Sequence, residues 1–277
     1  MPCCGAGAIW HARTSLRGLV SWSPKELATR AVVGGVLIAL AAAILWLGGF
    51  AFWAVTVIVA VLMMGEWAVL SGERMPRKRL AQYALSVPLA IMCPLAAGPG
   101  FLALGLVFGA AIFLIALTRN VQLGGGALYV GLPVLALLSL RSQDQGLVLA
   151  VWAMALVWAC DIGAYFTGRT FGGPLLAPSI SPAKTWSGLA GGIVLAGAFG
   201  ALMTQFGLPV RLAAATPLLA ALSQLGDLFE SHVKRVAGVK DSDNILPGHG
   251  GLMDRLDGLV PVAPVAALLV LVPQWLA

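Results

Sequence analysis

Residues 223–258, SQLGDLFESHVKRVAGVKDSDNILPGHGGLMDRLDG, gather carboxylates, cations and glycines at spacings suited to phosphate chemistry. On a helix, Ser223, Asp227, Glu230 and Lys234 follow i, i+4, i+7, i+11 and form one polar stripe with Ser231 beside it. A helix break is expected at Gly238, after which the loop returns Asp241, Asp254 and Asp257 toward the same end. Carboxylates without cysteine partners suit a hard ion such as Mg²⁺, which takes oxygen ligands and keeps waters or substrate phosphates. Interspersed Lys and Arg would be unhelpful in an all-protein metal cage, but they suit phosphate oxygens. Gly248, Gly250 and Gly251 let backbone N–H groups approach an anion, with His249 in a supporting role. The plainer reading is a solvated loop closed by helix-end salt bridges. A stripe that begins inside an apolar segment weighs against it, because charges are costly there.

Two further runs carry candidate groups. In DIGAYFTGRTFGG, Asp161, Tyr165 and Arg169 fall at i, i+4, i+8 on one helix face. An intrahelical Asp–Arg pair with a packing tyrosine explains that run equally well. In SISPAKTWSG, Ser181 followed by Pro182 reads as an N-cap and first helical position, flanked by Lys184 and Thr185. Such a helix start is an anion site, although capping plus a snorkelling lysine also accounts for it. Glu66, in MMGEWAVL, is a lone acid in an apolar segment that either neutralises a basic group or meets a substrate hydroxyl.

The elements that must position these groups are membrane helices. The chain is 60% hydrophobic and 10% charged, against about a quarter charged in soluble domains. Apolar runs long enough to cross a bilayer recur along it, and the short alternating segments of a barrel are absent. The expected fold class is all-α, a polytopic integral membrane helical bundle. Nine spans are expected, near 28–48, 50–70, 81–97, 100–117, 125–140, 146–168, 186–206, 212–232 and 259–276. With the N-terminus in the cytoplasm, all the Lys and Arg residues except Arg141 and Arg211 fall on the cytoplasmic side. The net charge of +6 is thus explained without a nucleic-acid partner, and none is expected. Division follows as a cytoplasmic tail 1–27, N-terminal transmembrane helices 28–140, and a catalytic transmembrane domain 141–277 with cytoplasmic loops 169–185 and 233–258. Glu66, Asp161 and Asp227 then share the cytoplasmic third of their helices. Cys93 and Cys160 lie in apolar segments and are expected to pack.

The run SHVKRVAGVKDSDNILPGHGGLMDRLD resembles the signature of phosphatidate cytidylyltransferases (CDP-diacylglycerol synthases), and GDLFES, DIGAYFTGRTFG, SPAKTW and EW look like further elements of that family. The resemblance implies a Mg²⁺-dependent reaction of CTP with phosphatidic acid, giving CDP-diacylglycerol and pyrophosphate in a bacterial-type inner membrane, with the active site facing the cytoplasm and a homodimer as the expected assembly. It implies Asp227 and Asp254 as first metal ligands, followed by Asp241 and Asp257. Lys234, Arg235, Lys240 and Arg255 would hold phosphates. Asp161, Arg169, Ser181, Lys184 and Thr185, together with Tyr165, His249, Gly250 and Gly251, would serve nucleotide or lipid binding. Ala183, Ser187 and Asp243 depart from the family pattern, which has Lys or another polar residue, often Glu, and Gly at those places.

Two rivals differ in class or substrate. A transporter would place its site near the midplane between inverted repeats, whereas here the charges cluster at one end and no repeat is evident. A CDP-alcohol phosphatidyltransferase would need an Asp-Gly-x-x-Ala-Arg run that DRLDG does not satisfy. A cytidylyltransferase of the same family acting on another lipid phosphate is the closest alternative.

Overall fold

The computed structural model describes residues 41–239 and 251–276. Helical residues 41–47 end at Gly48 and Gly49, both with positive φ (60° and 48°), which is the break the glycine pair predicts. Then follow α1 (Gly49–Leu70), α2 (Met75–Ile91), α3 (Phe101–Thr118), α4 (Val121–Arg141) and α5 (Gly146–Phe171). A short hairpin, β1 (Leu175–Ala177) and β2 (Ser181–Thr185), precedes α6 (Trp186–Met203) and α7 (Val210–Val236). The short helix α8 (Met253–Leu256) and α9 (Leu259–Leu276) complete the order.

Among the described residues, six helices are long and apolar enough to cross a membrane: α1, α3, α4, α5, α6 extended through Phe206, and α7; α9 is shorter but apolar. This is a polytopic helical membrane protein. The helix expected near 81–97 instead begins at Met75, with a proline in its first turn. Hydropathy misplaces that start because Arg77, Lys78 and Arg79 occupy the opening turn, outside the apolar stretch.

Indole N–H groups stitch the N-terminal helices together. Trp53 donates to the Leu89 carbonyl at 2.9 Å and Trp67 to the Gln122 carbonyl at 2.8 Å, so each buried donor keeps a partner. Trp152 does the same across the second half, donating to Thr216 Oγ1 at 3.0 Å to join α5 to α7. Arg141, one of the two off-side cations, donates to the Leu45 and Trp46 carbonyls at 3.0 and 3.2 Å, capping the last turn of the helix that ends at residue 47.

Helices α5 and α6 approach through small residues. A methyl group at Gly163 would stand 2.6 Å from the Gly191 carbonyl oxygen, and one at Gly192 would stand 2.7 Å from that of Cys160. This close packing sets Asp161 and Tyr165 on α5 beside the hairpin that feeds α6. Cys93 and Cys160 are buried free thiols, as expected of packing residues.

Ser181 and Pro182 do not open a helix. They lie in β2, which pairs antiparallel with β1 in the register Ala177↔Ser181 and Leu175↔Thr185. Thr185 is the N-cap, its Oγ1 accepting from the Gly188 N–H at 3.1 Å. Pairing with β1 outweighs the local Ser-Pro signal and moves the helix start four residues on.

Candidate active site

The hairpin, α5 and α7 enclose a cavity of about 360 Å³ lined by Asp161, Tyr165, Ser181, Ala183, Lys184, Thr185, Gln224 and Asp227, among others. Six of these are sequence-predicted site residues, and they arrive from three separate elements. The Lys184 ammonium lies against the Asp227 carboxylate as an ion pair. It also donates to Gln224 Oε1 at 3.0 Å, while the Gln224 amide nitrogen donates to Asp161 Oδ1 at 3.2 Å. One buried amide thus joins the cation of the hairpin to the acid of α5. Gln224 is the residue that sequence reading missed. Its signal was its place three residues before Asp227 on the same helix face.

Arg169 sits one turn further along α5 and donates to the Tyr165 hydroxyl at 3.0 Å on the exposed side. Of the family departures, Ala183 lines the cavity. Ser187 donates to the Gly172 carbonyl and approaches Thr185 Oγ1 at 3.0 Å, fixing the base of the hairpin.

A second group lies at the C-terminal end of α7. Lys234 pairs with Asp254 at 2.5 Å and with the fully buried Glu230 at 3.2 Å. The Glu230 contact is an ion pair without hydrogen-bond alignment, since neither carboxylate oxygen has a directed donor. The Gly251 N–H donates to Asp254 Oδ2 at 3.0 Å, so the expected glycine amide meets a carboxylate here. Arg235 turns back to the Val239 carbonyl at 3.3 Å, and Arg255 is exposed. Glu66, whose partner the sequence left open between a cation and a substrate hydroxyl, accepts from the Leu252 and Met253 N–H groups at 2.8 and 2.9 Å.

Asp257 relates the two groups. Burial pushes its carboxyl up to about 7, and the neighbouring Asp227 and Asp161 carboxylates add to the rise, while the Gly258 N–H at 2.7 Å opposes it. The close approach depends on Gly226, because a methyl group there would stand 2.5 Å from the Asp257 carbonyl oxygen. Among the described residues, no three His, Cys, Asp or Glu side chains converge tightly enough to hold a metal ion on their own. The donors nevertheless fit a hard divalent cation by kind: Asp161, Asp227 and Asp257 are all-oxygen ligands whose mutual repulsion a cation would relieve. Lys240, Asp241, His249 and Gly250 lie outside the described residues.

A model of the cytidylyltransferase family matches residues 28–272. The phosphatidate cytidylyltransferase of Brucella suis biovar 1 (strain 1330) is 41% identical over 255 residues, which cover 88% of this chain and 93% of the relative. That of Pseudomonas aeruginosa is 38% identical over 257 residues, 83% of this chain and 93% of the relative. That of Bacillus subtilis (strain 168) is 44% identical over 143 residues, covering 50% and 53%.

Proposed function

The chain belongs to the cytidylyltransferase family, and from that premise we propose that it transfers the CMP unit of CTP to phosphatidic acid. An oxygen of the phosphatidate phosphate attacks the α-phosphorus of CTP. The new P–O–P bond forms as the bond to the β-phosphate oxygen breaks, and pyrophosphate leaves with CDP-diacylglycerol as the other product. The phosphate oxygen is already ionised, so the protein need supply no general base. What it must supply is a place where two polyanions meet.

The observation that carries this reading is the Asp227–Lys184–Gln224–Asp161 chain around one cavity. Lys184, at the mouth of a capped helix start, is placed to meet phosphate oxygens. Lys234, held between Glu230 and Asp254, supplies a second fixed ammonium, and Arg235, Lys240 and Arg255 add cations around the loop. Mg²⁺ would be held by Asp227 and Asp254, with Asp257 and Asp241 next. When bound it supplies charge neutralisation and in-line alignment of the phosphates. Tyr165, Ser181 and Thr185 line the cavity that nucleotide or lipid head group would enter, with Arg169 one turn further along α5. Gly251 meets the second group through its N–H; His249 and Gly250 keep the substrate-binding role that the resemblance implies.

In this reading the chain crosses a bacterial inner membrane nine times with its N-terminus in the cytoplasm. The one-sided distribution of Lys and Arg supports that orientation. Loops 169–185 and 233–258 then face the cytoplasm, where CTP is available, while the acyl chains stay in the bilayer.

The test is direct. Detergent-solubilised protein is incubated with CTP, Mg²⁺ and phosphatidic acid, and pyrophosphate is measured. Release that needs both CTP and phosphatidic acid, and falls at least a hundredfold in Asp227→Ala and Asp254→Ala (about the loss seen for one key electrostatic group), is the expected result. A folded sample that releases pyrophosphate only with a different lipid phosphate, or not at all, overturns the assignment.

A further inference from the structure

Glu66 lies on α1, remote in sequence from the two groups of charged residues just described. Its side chain is fully buried, yet it reaches two backbone amides 186 and 187 residues away. Those amides, of Leu252 and Met253, stand at the start of the short helix that carries Asp254, and Met253 is itself fully buried. A four-residue helix cannot hold its own geometry, since it closes almost no internal hydrogen bonds. Its orientation must come from outside.

Among the described residues, Glu66 grips the backbone, Lys234 the Asp254 carboxylate, and the Gly251 N–H the same carboxylate. The next residue on α1, Trp67, is anchored separately. It donates to the Gln122 carbonyl and stacks on Tyr129 with ring centroids 4.6 Å apart, and Tyr129 in turn meets Phe229 of α7 at 5.8 Å. The end of α1 is thereby fixed against α4 and, through Tyr129, against the helix bearing Lys234.

We propose that Glu66 is a positioning residue, which clamps the 251–257 segment through the Leu252 and Met253 amides so that Asp254 and Asp257 face α7. A carboxylate is suited to this because it accepts two amide donors at once with charge-assisted bonds. Glutamine has the same shape but offers one oxygen and sets an NH₂ against the second amide. Its role in turnover rests on the cytidylyltransferase reading; the clamp itself does not.

The experiment compares Glu66→Gln with Trp67→Phe, which removes the neighbouring indole hydrogen bond without touching the segment. Amide hydrogen exchange is followed by mass spectrometry on peptides spanning 251–258 and, as reference, α7. In Glu66→Gln, exchange at 251–258 speeds about tenfold or more, the effect of losing one hydrogen bond to a charged group, while α7 is unchanged. With CTP and phosphatidic acid, kcat falls about tenfold and the KM for CTP moves less than threefold. Trp67→Phe lowers the unfolding temperature but leaves exchange at 251–258 as in the parent. Unchanged exchange in Glu66→Gln, or equal acceleration in both variants, overturns the clamp. If the parent protein shows no CTP-dependent turnover, the function proposal fails while the exchange comparison still decides this one.

Discussion

The Lys184 ammonium and the Asp227 carboxylate form an ion pair that joins the strand leading into α6 to the middle of α7. The pair is partly open, with side-chain exposures of 17% and 30%, and it borders the cavity that also contains Asp161. A surface-like pair of this kind stabilises a fold by only about 0–1 kcal/mol. Under the proposed function its ammonium would meet phosphate oxygens instead. Lys184→Ala is therefore expected to lower CTP- and phosphatidate-dependent pyrophosphate release about a hundredfold, with an unfolding temperature close to that of the parent. Steady-state kinetics beside a thermal unfolding scan in detergent checks both halves.

Gln224 is buried and holds Lys184 and Asp161 through opposite ends of one amide. Gln224→Leu keeps the volume but removes both bonds, so Lys184 and Asp161 lose their common partner. Turnover is expected to drop about tenfold, in line with roughly 1.5 kcal/mol for a hydrogen bond to a charged group. Gln224→Glu places a second carboxylate against Asp161 and is expected to cost more. A kinetic comparison of the two substitutions would reverse that order if the amide acts by volume alone.

These residues mark how far the sequence could be read. Asp161 and Asp227 were legible because charge inside an apolar helix needs a reason, and helical periodicity put each on a definite face; Lys184 stood out as a cation beside an expected helix start. Gln224 carries no charge and so raised no flag, although it sits on the same face as Asp227. The Ser181-Pro182 start was misplaced because strand pairing with Leu175–Ala177 is a non-local contact that overrides a local cap signal. Glu66 stood out as a buried acid, but backbone amides 186 residues away have no sequence signature. Helix ends at Gly and Pro were read to within a few residues. The basic first turn of α2 was not, because hydropathy marks the apolar layer rather than the helix.

Gly226 and Gly109 offer a contrast in helix glycines. A Cβ at Gly226 would meet the Asp257 carbonyl oxygen at 2.5 Å and Pro261 Cγ at 2.6 Å, while at Gly109 nothing lies within 4 Å. Gly226→Ala must push the 257–261 segment off α7, at a cost of about 1–3 kcal/mol, and should remove most activity by displacing Asp257. Gly109→Ala gains helix propensity and should leave activity unchanged. Thermal unfolding and pyrophosphate release on the two alanine variants test this, and equal behaviour would contradict the close approach at Gly226.

Asp257 gives a pH dependence whose sign can be worked out. Its carboxyl sits at about 7 in the folded chain, raised first by burial and then by Asp227, against about 4 for an unfolded aspartate. Between those values the folded state binds a proton that the unfolded state has released, so this residue weakens the fold progressively as pH rises from about 4 to about 7 and by a constant amount above. Asparagine mimics the protonated form at every pH. Asp257→Asn is therefore expected to leave the unfolding temperature unchanged near pH 4 and to raise it at pH 8, when both proteins are measured in detergent with divalent ions removed. The gap should open through pH 5 and 6 and then level off. An unfolding temperature for Asp257→Asn that is equal to or below the parent's at pH 8 would mean that burial and the neighbouring Asp227 charge do not raise this carboxyl in the folded chain.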